Sequence, residues 1–184
     1  DDGQYPLERG DHPVVNISWE DAHTYCQWLS QKTQKNYCLS TEAQWEKAAR
    51  GEDGRIYPWG DEFDPAKANI DKTKIGDTSP VGQFSPQGDS PYGCVDMAGN
   101  VWEWCADWFD ENEYKNRKTP IKDPAGPEKG SLRVLRGGSF NFSYYDARSA
   151  GRFWDYPGSI SKNGGFRLVL LPSLKPNSDS LPSE

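Results

Sequence analysis

Apolar residues recur at helical spacing in two stretches of the chain. In "SWEDAHTYCQWLSQKT", Ala22, Cys26 and Leu29 share one face. Ser18 stands as N-cap and Asp21 follows three residues later, close to a capping box. The pattern predicts a helix over 18–33. "LSTEAQWEKAARG" repeats the device, with Thr41 as cap, Gln44 answering it and Gly51 just past the end. It predicts a helix over 41–50 that buries Ala43, Trp45 or Ala48. "SLRVLRGGSF" predicts a strand with Val134 and Leu135 buried, and "GGFRLVLL" a second strand. "VDMAGNVWEWCADWF" is a short apolar stretch after a glycine turn. From Gly51 to Pro91 the chain is dense in turn residues. A loop of that length needs staples other than backbone ladders, and bound cations would serve. "PSLKPNSDSLPSE" at the end predicts a flexible tail over 172–184, after one domain over 1–171.

The segment between "RGGS" and "GFRL" follows neither period. Phe140, Phe142, Tyr144, Tyr145, Phe153, Trp154 and Tyr156 are scattered among Ser, Gly, Asn and Asp. Such rings either fill a core or face outward and bind. Aliphatic residues are sparse, while Gly 18, Pro 14 and Trp 8 mark a loop-rich, aromatic-rich chain of 184 residues. The length suffices for one domain with a sizeable core. A net charge of −7 argues against tracking nucleic-acid phosphates or an anionic membrane surface. No apolar run approaches the roughly 20 residues of a membrane span. No signal peptide is visible, although "DDGQYPLERG" does not resemble a natural start. A cytoplasmic setting is the working expectation.

Cys26, Cys38, Cys94 and Cys105 form no CxxC pair and no zinc-ribbon spacing. Cys26 on an apolar helix face is expected to be a buried free thiol, and Cys38 with Cys94 is the pair that could form a disulfide. His12 and His23 are too few for a histidine-rich metal site.

Six ordered blocks then carry a resemblance: "PVVNISWEDAHTYCQWLS", "YCLSTEAQWEKAARG", "YPWGD", "DMAGNVWEWCADW", "RVLRGGSF" and "GFRLV". Together they resemble the formylglycine-generating-enzyme, or sulfatase-modifying-factor, superfamily, over roughly residues 12 to 170. The resemblance implies an α+β, C-type-lectin-like fold: two helices, small twisted antiparallel sheets and much irregular loop. Full-length members have a further N-terminal portion with strands, so an upstream domain or chain fragment completing the fold is an implied partner.

Active members use two cysteines after "GGS", a thiolate pair suited to Cu(I). Counted from Ser139, those positions hold Phe142 and Ala147 here. Ser139 matches a serine near the family's active site, but no histidine base lies near it in sequence. Relatives that make sulfoxides with non-haem iron take their histidines from a separate helical domain, which this sequence lacks. Catalysis by either route is not expected. The resemblance also implies Ca²⁺. Asp96 and Glu103 would give carboxylate oxygen and Gly99 and Val101 backbone carbonyls. Asn69 and the Ile70 carbonyl match part of a second site, with Asp71, Thr73 and Asp77 as further candidates.

Arg136, Gly137, Gly138, Arg148, Arg152, Pro157 and the final "GFRL" read as scaffold, and the residues between them as free to differ. Rings with small polar residues suit a binding surface. The arrangement resembles the variable proteins of diversity-generating retroelements. The expected ligand face is Phe142, Tyr144, Tyr145, Asp146, Phe153, Trp154, Asp155 and Tyr156, taking an unidentified protein or small molecule. The function expected is a non-catalytic ligand-binding module. The alternative is a copper oxidase of the formylglycine type, which the missing cysteine pair disfavours.

Overall fold

Ser18 starts the first helix as the sequence predicts. Its hydroxyl accepts the Asp21 backbone N–H at 3.1 Å, and the Asp21 carboxylate accepts the Ser18 N–H at 2.9 Å. The Ser18 N–H and hydroxyl, both donating to the Asp21 carboxylate, hold it below the usual carboxylate range. A computed structural model of the chain describes residues 7–117 and 119–172. The first helix, α1, is Trp19–Thr33, and α2 is Glu42–Arg50 with the Thr41–Gln44 box in place. Ala22 and Cys26 are buried on α1 as expected. On α2 the buried apolar residues are Trp45 and Ala49, with Ala43 and Ala48 half-buried. The expected tail lies outside the described residues from 173 onward.

The strands are β1 (Asn36–Leu39), β2 (Trp102–Trp108), β3 (Arg133–Arg136), β4 (Arg152–Asp155), β5 (Gly164–Phe166) and β6 (Leu168–Leu171), with a one-turn helix α3 (Glu113–Asn116) after β2. One sheet has the order β4-β3-β2-β5, and the other pairs β1 with β6. Two expectations change here. The sheets are not wholly antiparallel, since β5 runs parallel to β2 with Trp102 opposite Gly164. A parallel partner needs a long return connection, which the chain between β2 and β5, with β3 and β4 inside it, supplies. The single strand expected over "GGFRLVLL" is also two strands in different sheets. Arg167 breaks it by turning to Glu103, with Nε and Nη2 on the two carboxylate oxygens at 2.5 and 2.6 Å.

Buried arginines from the scaffold positions join the helices to the sheet. Arg136 is 0% exposed. It donates to Glu46 at 2.6 Å and to the carbonyls of Ser149, Ala150 and Gly151 at 2.8–3.2 Å, and lies 3.4 Å from Glu42. Arg152 grips both Glu42 oxygens at 2.6 and 2.9 Å. Buried Glu42 and its neighbour Glu46 thus each have a cation.

The long loop is stapled by two buried amides. Asn69 donates to the Asp77 carbonyl at 2.9 Å, and Asn100 accepts the Ser79 N–H at 2.9 Å. The Asn100 N–H closes the pair on the Asn69 carbonyl at 2.8 Å. Gly99 has φ +76, and a Cβ there would sit 2.2 Å from the Asn69 oxygen, so only glycine fits.

The four cysteines are free thiols, Cys38 and Cys94 included. Burial, with a smaller contribution from Cys38, pushes the Cys26 thiol up to about 11. Asp107 is buried below the start of α2, where it accepts the Glu42 backbone N–H at 2.7 Å. Burial nevertheless pushes its carboxyl up from 3.8 to about 6. The fold therefore favours its neutral form. That contribution is fully present below pH 3.8 and is lost as pH rises through about 6. Asp107→Asn is expected to remove the loss, flattening the decline of unfolding free energy over that window by up to about 3 kcal/mol. Urea melts at a series of pH values measure it, and parallel curves for variant and parent would count against it.

Candidate ligand-binding face

Gly137 and Gly138, at φ +98 and +75, turn the chain out of β3 into the aromatic segment. Ser139 is fully buried and donates to Asn141 at 2.9 Å, while Asn163 donates to its hydroxyl at 3.3 Å. Its hydrogen-bond partners are amides, which gives it a structural place and no base. Phe140 is buried.

The expected ligand residues fall into groups by what they touch. Phe142 meets the Trp102 ring edge-on at 5.4 Å, and Phe153 stacks on Trp102 at 5.1 Å. With Asp155 they line a cavity of about 150 Å³. Tyr144 packs instead on Phe63 at 4.9 Å and on Tyr145 at 4.1 Å. Tyr57 and Trp59, stacked at 5.3 Å, extend that group through Phe63, and the Lys72 ammonium lies 4.2 Å over Tyr144. Trp154 stacks on Phe109 at 4.6 Å, since alternation along β4 turns it away from Phe153. Tyr145, Trp154 and Tyr156 are 56%, 44% and 65% exposed, and Tyr144 and Phe153 are half-buried. Asp146 is spent locally, accepting from the Ser143 N–H and hydroxyl. Sequence reasoning missed Trp102, Trp59 and Phe63 as members of this face. Only their presence inside the motif blocks "YPWGD" and "DMAGNVWEWCADW", or close to them, could have drawn attention to them.

The two positions where the resemblance places copper cysteines sit in different apolar clusters. Phe142 packs with Trp102 and Phe153, and Ala147 is buried with Ala68, Ile70 and Ala98.

The candidate cation residues fall at two places. Asp96, at φ +53, and Glu103 line a cavity of about 190 Å³ with Asn100 and Val101. Asp96 accepts the Gly82 N–H at 2.8 Å, and burial, with Glu103 adding to it, pushes its carboxyl up. Two carboxylates on a turn rich in carbonyls are the oxygen donors a hard cation takes, with both Glu103 oxygens also engaged by Arg167. Glu103 also serves the fold: besides Arg167, it accepts the Trp45 indole N–H at 2.6 Å. Among the described residues no three His, Cys, Asp or Glu side chains cluster, so a cation here would depend on Gly99 and Val101 carbonyls. At the second site the Thr73 hydroxyl donates to the Ile70 carbonyl at 2.5 Å and lies 3.4 Å from Asn69 Oδ1. Those two oxygens are already engaged, and the donor set fits a cation less well. Asp77 pairs with Arg9 at 2.5 Å.

Among the described residues no helix is long and apolar enough to cross a membrane. The chain matches the sulfatase-modifying factor enzyme 1-like domain over residues 2–171. It is 40% identical to the formylglycine-generating enzyme of Thermomonospora curvata, covering 92% of this chain and 59% of that protein. It is 36% identical to the inactive C-alpha-formylglycine-generating enzyme 2 of Bos taurus, covering 88% of this chain and 51% of that one. The chain thus spans between half and three fifths of these relatives. Treponema denticola variable protein 1 superposes with a TM-score of 0.79 at 27% identity, over 94% of this chain and 74% of that one. The Major Tropism Determinant U1 variant, at TM-score 0.51 and 16% identity, over 84% of this chain and 38% of that one, shares the fold. Six motif blocks, the α+β C-type-lectin-like architecture and the match over residues 2–171 agree: the chain belongs to the sulfatase-modifying factor enzyme 1-like domain family.

Proposed function

We propose that this chain is a non-catalytic, ligand-binding member of its family, with the Phe140–Gly164 segment as its binding face. The observation that carries the reading is Phe142, a ring packed between rings where a copper thiolate would stand. Ala147, in a separate buried cluster, offers no second thiolate. A name such as inactive C-alpha-formylglycine-generating enzyme 2 among the relatives fits a family that tolerates loss of activity. The likeness to a variable protein supports the further reading that the segment is diversified by a retroelement. In that segment every residue except Trp154 and Lys162 has a pyrimidine-ended codon available. A near-copy of its coding DNA beside a reverse transcriptase, sought by sequencing the flanks, tests this.

The competing reading is a copper oxidase. Incubation with copper, oxygen and a peptide containing Cys-X-Pro-X-Arg is expected to leave the peptide mass unchanged. Aldehyde formation well above a protein-free control would overturn the non-catalytic reading.

Ca²⁺ held by Asp96, Gly99, Val101 and Glu103 is proposed as a structural staple. A ligand that binds only the folded state stabilises it by mass action. The thermal midpoint is expected to fall when EDTA is added and to recover with excess Ca²⁺. An unchanged midpoint, with no metal in the purified protein, would remove the proposal.

A further inference from the structure

We propose that the cavity beside Trp102 binds a ring-sized apolar group that carries an amine, an arylalkylammonium ion. The proposal rests on the reading that this face binds rather than catalyses, and it names the class of ligand.

Size is the first argument. The cavity holds about 150 Å³, roughly the volume at which an apolar protein cavity accepts benzene. Its walls are aromatic. Trp102 and Phe153 stack with an interplanar angle of 23°, and Phe142 stands edge-on to Trp102 at 85°. A planar group of that size gains contact with three rings already fixed against one another.

Charge is the second argument. The polar lining consists of Asp155, Ser159, Ser161 and Asn163, with no lysine or arginine among the lining residues. The Tyr156 N–H and the Ser159 hydroxyl both donate to Asp155 Oδ1 at 2.7 Å, which fixes the carboxylate. Its Oδ2 has no hydrogen bond among the described residues, and Asp155 forms no ion pair there. Glu42 and Glu103, which pack against this sheet, are each closed by an arginine, and Asp107 of β2 is buried on a backbone N–H of α2. A fixed, unpaired carboxylate at the edge of an aromatic cavity favours a cation twice, through the carboxylate and through the ring faces. An anion would meet the same carboxylate without a countercharge, and a neutral ring would gain burial alone.

The buried Trp102 indole N–H has no partner among the described residues and serves as the reporter. The test titrates ¹⁵N-labelled full chain with benzylamine, benzyl alcohol or benzoate at neutral pH, with the indole resonance assigned through Trp102→Phe. Benzylamine is expected to shift that resonance and to bind about tenfold more tightly than benzyl alcohol, a difference of about 1.4 kcal/mol. Benzoate is expected to bind weakest. Asp155→Asn, which can still accept both Oδ1 hydrogen bonds, is expected to abolish the preference for the amine without loss of the folded spectrum. Equal affinities in the parent chain, a preference for benzoate, or no shift with benzylamine would each overturn the proposal. If the alcohol or benzoate shifts Trp102 where the amine does not, the ligand class fails while the binding reading stands. That wider reading fails separately, on aldehyde formation in the copper assay.

Discussion

Arg136→Ala is expected to lower the unfolding free energy by about 3–5 kcal/mol, the cost of breaking a buried ion pair from one side. Arg136 serves two carboxylates and three carbonyls at once. Its removal strands the Ser149, Ala150 and Gly151 oxygens behind the aromatic segment. Glu42 keeps Arg152 and Glu46 keeps Arg50, so the carboxylates are only partly orphaned. The carbonyls have no such reserve. Arg136→Lys is expected to recover less than half of the loss, because a point ammonium cannot reproduce the planar fork. Urea denaturation of the three proteins measures this. A loss below about 1 kcal/mol for Arg136→Ala, the range of an exposed pair, would mean that the network is dispensable.

The second large effect separates framework rings from face rings. Trp45→Ala is expected to cost about 3–5 kcal/mol, as for a core aromatic. Trp45 is 1% exposed and packs with Ala49, Met97, Cys105 and Val134, and its indole N–H is a partner of buried Glu103. Tyr156→Ala, at a ring 65% exposed, is expected to change stability by no more than about 0.5 kcal/mol. Tyr144→Ala should fall between them, since its ring packs on Phe63 and Tyr145 and carries Lys72. If Tyr156→Ala cost as much as Trp45→Ala, the exposed rings would be packing elements and the binding-face reading would fail. If the order holds, Tyr156→Ala is a folded variant suited to ligand screens.

Much of the candidate site was legible along the chain, and its grouping was not. Counting from Ser139 put Phe142 and Ala147 where the resemblance implies cysteines, and the structure adds that they lie in two separate clusters. The eight candidate ligand residues lie in one segment of the sequence. Their neighbours Phe63, Phe109 and Trp102 come from other parts of the chain, and no local pattern announces those meetings. The resemblance implies Glu103 as a cation ligand, and its pairing with Arg167, 64 residues away, shows in neither motif alone.

The sequence by itself determined α1 and α2 and their caps, because a cap bonds within three positions and an apolar face repeats every turn. It likewise determined the buried Val134 and Leu135, whereas the need for glycine at Gly99 comes from the Asn69 carbonyl packed against it. Only the tertiary structure decided that "GFRLVLL" divides between two sheets, that β5 runs parallel to β2, and that Arg136 and Arg152 close on α2. The reason is distance along the chain. Arg152 meets Glu42 across 110 positions and Arg136 meets Glu46 across 90, and such partners are selected by burial, which leaves no period to read.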